Sequence, residues 1–318
     1  MTVRSFVPLT LLLAACAPAK TTPGGDTEGT EDTAVTPAPY IVEEEDPPQA
    51  DFSAEQITAA ILNAMTAAKG IHAAPVFDAY QAVMDGQDGG CPNYYEQDGN
   101  EYWYDYCTSD AGVTYNGYSF YYAYDNYDVG DGLIYNGGAL YGVAQVTDAA
   151  GHTFEAGGSA VEVVADAADG SYRMWQSQVQ GSFAWDGPGG EGTWLAEGLA
   201  PDLIMYAYYL PAYEGHAFFL DGAVSGLGGD FDVVVFDSAT IFDANAGGGC
   251  SIEPSGVVSV RDGEGNWYDV LFDGPVEWGG DFDAAACDGC GSAWFRGEEV
   301  GQACLDFSAL TDWGTAPW

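Results

Sequence analysis

Basic residues are scarce in this chain. Six lysines and arginines stand against 49 aspartates and glutamates, for a formal net charge of −43. A surface of that sign repels phosphate backbones and anionic head groups, so nucleic acid is excluded as a partner. Histidine is nearly absent: His72, His152 and His216 are the only three. The chain has no G-x-S-x-G elbow, no H-E-x-x-H pair, no phosphate loop and no dinucleotide fingerprint, which removes the enzyme classes built on those motifs. Beyond the opening residues, no apolar run is long enough to span a bilayer as a helix. Carboxylates are so frequent that a pair of them carries no information about glycosidase-type acid–base chemistry.

One short apolar run is present at the start. Arg4 supplies a positive charge, Phe6 to Ala15 are apolar, and Leu13-Ala14-Ala15-Cys16 closes the segment. The run is too short to cross a membrane and has the layout of an export signal. Its last four residues resemble the lipobox of bacterial lipoproteins. The resemblance covers these residues alone. It implies removal of residues 1–15, acylation of Cys16 and, because Ala17 is not Asp, sorting to the outer membrane. Several acyl chains on one cysteine would hold firmly, at about 0.8 kcal/mol per buried methylene. The membrane, reached through this anchor, is the first expected partner.

Residues 16–50 are rich in Thr, Pro, Gly and Glu and read as a disordered acidic tether. A coil of that length has an end-to-end distance of about 30–35 Å. Residues 51–90 carry helical signals. Ser53 and Gln56 form a capping box, with Ile57, Ile61, Leu62 and Met65 at helical spacing and Gly70 as the stop. Pro75 opens a second helix whose face is Val76, Phe77, Tyr80, Val83 and Met84, with Gly86 after it.

Residues 91–318 read as an antiparallel β domain. Tyr, Val, Phe, Trp and Thr alternate with Asp/Gly/Asn turns, and nothing between the turns suits a crossover helix. The expected fold is mainly β, a meander of about 10–13 strands. Glycines inside strands, at Gly117, Gly137-Gly138, Gly157-Gly158, Gly181, Gly222 and Gly274, point to bends. They leave a strongly curved sheet, a partial barrel or a sandwich as alternatives. A weak repeat, Leu220 to Asp232 against Phe272 to Asp283, reads as a repeated hairpin.

With Cys16 acylated, six cysteines remain: Cys91, Cys107, Cys250, Cys287, Cys290 and Cys304. An even number in an exported chain indicates disulfides. Cys91 with Cys107 is the natural pair; the last four admit three pairings, and their C-x2-C spacing also suits zinc.

Tyr115, Tyr118, Tyr122 and Tyr124 crowd one strand and are the candidate ligand platform, for a glycan or an apolar molecule such as a lipid. Asp125, Asp128 and Asp131, and separately Asp262, Glu264 and Asn266, are candidate calcium ligands. No other cofactor is expected. The function expected from these features is a non-enzymatic outer-membrane lipoprotein with a structural or ligand-binding role, its partners being a glycan, a lipid or an envelope protein. The alternative is a secreted hydrolase using carboxylates or calcium, with His152 or His216 among converging acids. A membrane-embedded barrel is disfavoured by Gly314 and Pro317 near the last residue and by strands apolar on both faces.

Overall fold

The Ser53 backbone N–H donates to Gln56 Oε1 at 3.1 Å, and the helix that this cap opens, α1, spans Ala54–Gly70. Ile57, Ile61, Ala64, Met65 and Ala68 form its buried face, whereas Leu62 points to solvent. The second helix, α2 (Ala74–Met84), begins one residue before Pro75 and buries Val76, Phe77, Tyr80, Val83 and Met84 as expected. Its first N–H does not rely on a local cap. Ala74 N donates 2.7 Å across to Glu162 Oε2 on the sheet, and Trp175 Nε1 donates to the other oxygen at 3.2 Å. A carboxylate at a helix N-terminus satisfies an orphan donor and opposes the positive end of the dipole.

In this computed structural model the described residues are 49–311, apart from 72, 85–86, 89, 98–99, 129, 131, 188–189, 194–199, 212–214, 243–248 and 277–282. Cys16, the tether up to residue 48, His72 and Gly86 therefore lie outside the described residues.

The strands are β1 (Tyr94–Gln97), β2 (Asn100–Thr108), β3 (Thr114–Asp128), β4 (Leu133–Thr147), β5 (Thr153–Ala167), β6 (Arg173–Gly187) and β7 (Gly190–Thr193). They continue as β8 (Ala200–Leu210), β9 (Gly215–Ser225), β10 (Phe231–Phe242), β11 (Ser255–Asp262), β12 (Trp267–Asp273), β13 (Cys290–Phe295) and β14 (Glu298–Cys304). All belong to one sheet in sequence order, with β7 beside the end of β6 and β8 beside its beginning. Every pairing is antiparallel, and β1 and β14 are not joined to each other. The fold is thus an open, curved antiparallel meander with a helix pair on its N-terminal side. No second sheet makes a sandwich among the described residues.

Register sorts the side chains onto two faces. The inner face carries Trp103, Tyr115, Leu140, Phe154, Trp175, Phe183, Leu220, Phe236, Val258 and Tyr268, in one core cluster with α1 and α2. α2 packs on β4, β5 and β6, and α1 on β9, β10, β11 and β14. A helix is about 10 Å wide and shields about three residues of a strand beneath it. Inner positions are nevertheless buried from Phe154 to Ala160, from Trp175 to Phe183 and from Val234 to Ile241. The sheet must therefore curl until its own parts shield one another.

The curl has a visible cause. Gly142 pairs with Gly158, and Gly158 with Gly181, so three neighbouring strands carry no side chain in one row of the inner face. A Cβ on Gly158 would meet the carbonyl of Gln180, and one on Gly181 the carbonyl of Gly157. The backbones approach too closely for any side chain. Gly181 also has a φ of +94°, which L-residues avoid. Gly274 differs from the expectation. It follows β12 rather than bending a strand, and its N–H donates to Pro254 O at 3.1 Å.

The cysteines pair as Cys91–Cys107, Cys250–Cys287 and Cys290–Cys304. The two thiols of the C-x2-C therefore go to different partners, which removes the zinc reading. Of the two repeat copies, Leu220 to Asp232 forms the β9–β10 hairpin. In the second copy β12 ends at Asp273 and Asp283 caps a short 3-10 turn at Ala284–Ala286, while residues 277–282 lie outside the described residues. The Cys250–Cys287 bond ties the residue after that turn to the loop before β11.

Two measurements check these points. Gly181→Ala should cost more than ~3 kcal/mol in urea unfolding, since it combines strain with a backbone clash. Gly170→Ala, at a φ of +72° with nothing within 4 Å of the new Cβ, should cost only ~1 kcal/mol. Glu162→Ala should cost about 2 kcal/mol by orphaning the Ala74 N–H and the Trp175 indole.

Candidate functional site

Alternate residues of a strand point to opposite faces, and this divides the candidate tyrosines. Tyr115 faces inward, is 0% exposed, and packs edge-on against Trp103 at 5.6 Å between ring centroids. It is a core residue and cannot share a platform with the other three. Tyr118, Tyr122 and Tyr124 face outward. Tyr122 lies against Tyr141 at 6.1 Å and Tyr124 against Tyr127 at 5.7 Å. The inner face is filled by the core of sheet and helix side chains, so the aromatic surface is the outer one, not a concavity within the sheet.

The outer face of β1 to β3 is a ladder of rings. Tyr95 stacks on Tyr102 at 4.6 Å, Tyr102 on Phe120 at 5.9 Å, and Phe120 meets Tyr118 edge-on at 5.9 Å. Tyr104 and Tyr106 meet edge-on at 5.8 Å. Each ring is held by a neighbour, so the outermost ones are oriented before anything binds.

Beside this ladder lies a groove of about 350 Å³. Register explains its composition. One outer row runs Tyr104, Tyr118, Val143, Gly157, Ser182; the next runs Tyr106, Asn116, Gln145, Glu155, Ala184. Tyr118 and Val143 in the first row and Tyr106 in the second are 39%, 59% and 67% exposed. Gly157 leaves a low point, and a Cβ there would abut Ser182 Oγ at 3.2 Å. Gln145 Nε2 donates to Glu155 Oε1 at 2.7 Å. The groove adjoins the glycine row that bends the sheet, because bending toward the inner face splays the outer side chains apart. A smaller hollow, about 210 Å³, sits where α1 meets the β9–β10 turn around Asn63 and Asp230; it has no exposed ring.

The candidate calcium positions have local explanations. Asp262 is 2% exposed. Its carboxylate accepts the backbone N–H groups of Glu264 and Asn266 and the Asn266 amide, at 2.8–3.0 Å. Those bonds close the β11–β12 turn, which accounts for the alternation of acids and amides. Asp125 accepts from the Asn126 amide at 2.8 Å, and Asp128 from Gly130 N at 2.7 Å. Asp131 lies outside the described residues. Among the described residues no three His, Cys, Asp or Glu side chains gather as metal ligands would.

The two described histidines line neither hollow. His152 Nδ1 lies 2.8 Å from Asp148 Oδ2, and that hydrogen bond holds the imidazole above its ordinary pKa. Asp148 Oδ1 also accepts the N–H groups of Ala150 and His152, so the pair belongs to the β4–β5 turn. His216 packs on Tyr209 at 5.2 Å.

One carboxylate is unusual. Glu253 is fully buried and accepts N–H groups from Asp273 at 3.3 Å, Asp288 at 3.0 Å and Gly289 at 2.9 Å. Burial, with Asp273 beside it, pushes its pKa up to about 7. It joins the loop of Cys250 to the turn before Cys290 and to the end of β12, a structural position. Sequence patterns gave no sign of it, because Ser251-Ile252-Glu253-Pro254 reads as an ordinary loop.

No family model, curated protein or solved structure matches this chain.

Glu253 sets a pH dependence. A pKa raised on folding contributes stability that is complete below the unfolded value, near 4.5, and is lost as pH rises through about 7. Urea midpoints of the disulfide-intact protein should therefore fall between pH 4.5 and pH 8, and Glu253→Gln should flatten that slope.

Proposed function

We propose that this protein is a non-enzymatic outer-membrane lipoprotein that holds a ligand-binding β domain away from the membrane on an acidic tether. The observation that carries the binding half is the outer-face groove: exposed, pre-oriented rings stand beside amide, hydroxyl and carboxylate groups. A volume of about 350 Å³ falls within the usual range for small-ligand sites. The anchoring half rests on the lipobox-like Leu13-Ala14-Ala15-Cys16 and on the three disulfides, which suit an oxidising compartment. The hydrolase alternative draws no support from His152, whose imidazole and Asp148 partner close the β4–β5 turn.

The anchor is tested by expression in a Gram-negative host with labelled palmitate. The wild-type chain should take up label and fractionate with the outer membrane. Cys16→Ala should do neither. Equal labelling of the two chains would remove the lipoprotein reading.

A further inference from the structure

We infer that the groove beside Tyr106 and Tyr118 is a binding site for a neutral glycan, the pyranose rings lying on the tyrosines and their hydroxyls meeting Asn116, Gln145 and Glu155. This rests on the reading of the outer face as a binding surface and names its ligand.

Three features select the chemistry. First, the ring walls are exposed but supported: Tyr106 is braced by Tyr104 and Tyr118 by Phe120. The C–H face of a pyranose is weakly positive and packs on the negative face of an aromatic ring. Second, the row that begins at Tyr106 continues with the polar Asn116, Gln145 and Glu155. Gln145 and Glu155 are joined at 2.7 Å, which orients both groups and leaves the second Glu155 oxygen and the Gln145 oxygen as acceptors. A hydroxyl donating to a carboxylate makes a charge-assisted bond. An acyl chain laid in the same groove would strip water from these groups and replace it with nothing. Third, charge sets the sign of the ligand. With a net charge of −43 and Glu155 in the groove itself, uronate-, sulfate- or phosphate-bearing polymers are repelled.

The glycine at the low point has a role here. Gly157 is the outer-facing position between Val143 and Ser182, and the absence of a side chain opens the space that a ring would enter. Its Cβ would meet chiefly the Ser182 hydroxyl, which can turn away, so the bare position is not demanded by packing as Gly181 is.

Affinity electrophoresis tests the assignment, because so acidic a protein migrates fast and retardation is easily read. The exported chain, disulfides intact, would be run in native gels containing dextran, laminarin or galactomannan, with alginate as the charged comparison. Retardation by at least one neutral polymer and none by alginate is expected. Tyr118→Ala and Tyr106→Ala should each weaken binding at least about tenfold, and Gly157→Val should abolish it. Tyr127→Ala, on the same face but outside the groove, should bind normally, and thermal melts check that every variant is folded. Retardation that survives all three groove substitutions would overturn the site while leaving a binding surface elsewhere. No retardation in any neutral gel would overturn the glycan assignment. A fluorescent fatty acid that binds the wild-type chain and is lost in the same variants would make the ligand a lipid and overturn it equally.

Discussion

Close approach of backbone to backbone along Gly142, Gly158 and Gly181 governs the shape of the molecule. Antiparallel strands normally keep a layer of side chains on each face, and a sheet of fourteen strands laid flat would be about 60 Å across. Two short helices could not cover it. Where a row of inner positions has no side chains, the sheet can turn sharply toward that face. The core then closes around Tyr80, Trp103, Phe154 and Trp175 without a second sheet. The same bend spreads the outer side chains, so the groove and the core have one geometric origin. Gly117 and Gly222, both at positive φ and both against a carbonyl of the next strand, extend the bend to β3 and β9.

The acidity has a structural component that charge counting hides. Asp88 accepts the N–H groups of Gly90, Cys91 and Asp110, and hydrogen bonding holds it below the ordinary carboxylate pKa. Asp148, Asp169, Asp262, Asp283, Asp288 and Asp306 accept backbone N–H groups in the same way at other turns. A meander has many turns, and a short carboxylate is well placed to satisfy the donors that a turn leaves open. These aspartates therefore close turns and cap short helices, and two of the cations take carboxylate partners: Arg173 with Asp166, Arg261 with Asp232. The disulfides work in the same regions. One ties the segment before β1 to β2, another joins β13 to β14 at the last edge, and Cys250–Cys287 ties the connection before β11 to the one before β13.

Much of the architecture was legible from residue pattern. Helix limits followed from Ser53, Gln56 and the apolar spacing, and most turns followed from Asp/Gly clusters. Two turns escaped. Ser109–Val113 carries a single glycine, Gly112, amid polar residues. The β13–β14 turn places Arg296 at a φ of +49°, where arginine is not expected, held there by Asn266 at 3.0 Å and by the Phe295 ring at 5.5 Å. Strand parity alone could have separated Tyr115 from Tyr118, since odd and even offsets face opposite ways. Gly142 was missed because one glycine in an apolar strand looks unremarkable until its partners across the sheet are known.

The order of hydrophobic and turn residues along the chain determined that this would be an antiparallel meander with an N-terminal helix pair, since those patterns are local and repeat every two or 3.6 residues. Tertiary structure alone decided how the last four cysteines pair, which face of β3 turns to the core, and that Tyr106 and Asn116 come to lie near Glu155 and Ser182. The physical reason is register. Residues far apart in the chain become neighbours only when each strand takes its place against the next, and a shift by one residue would have sent every one of those side chains to the opposite face.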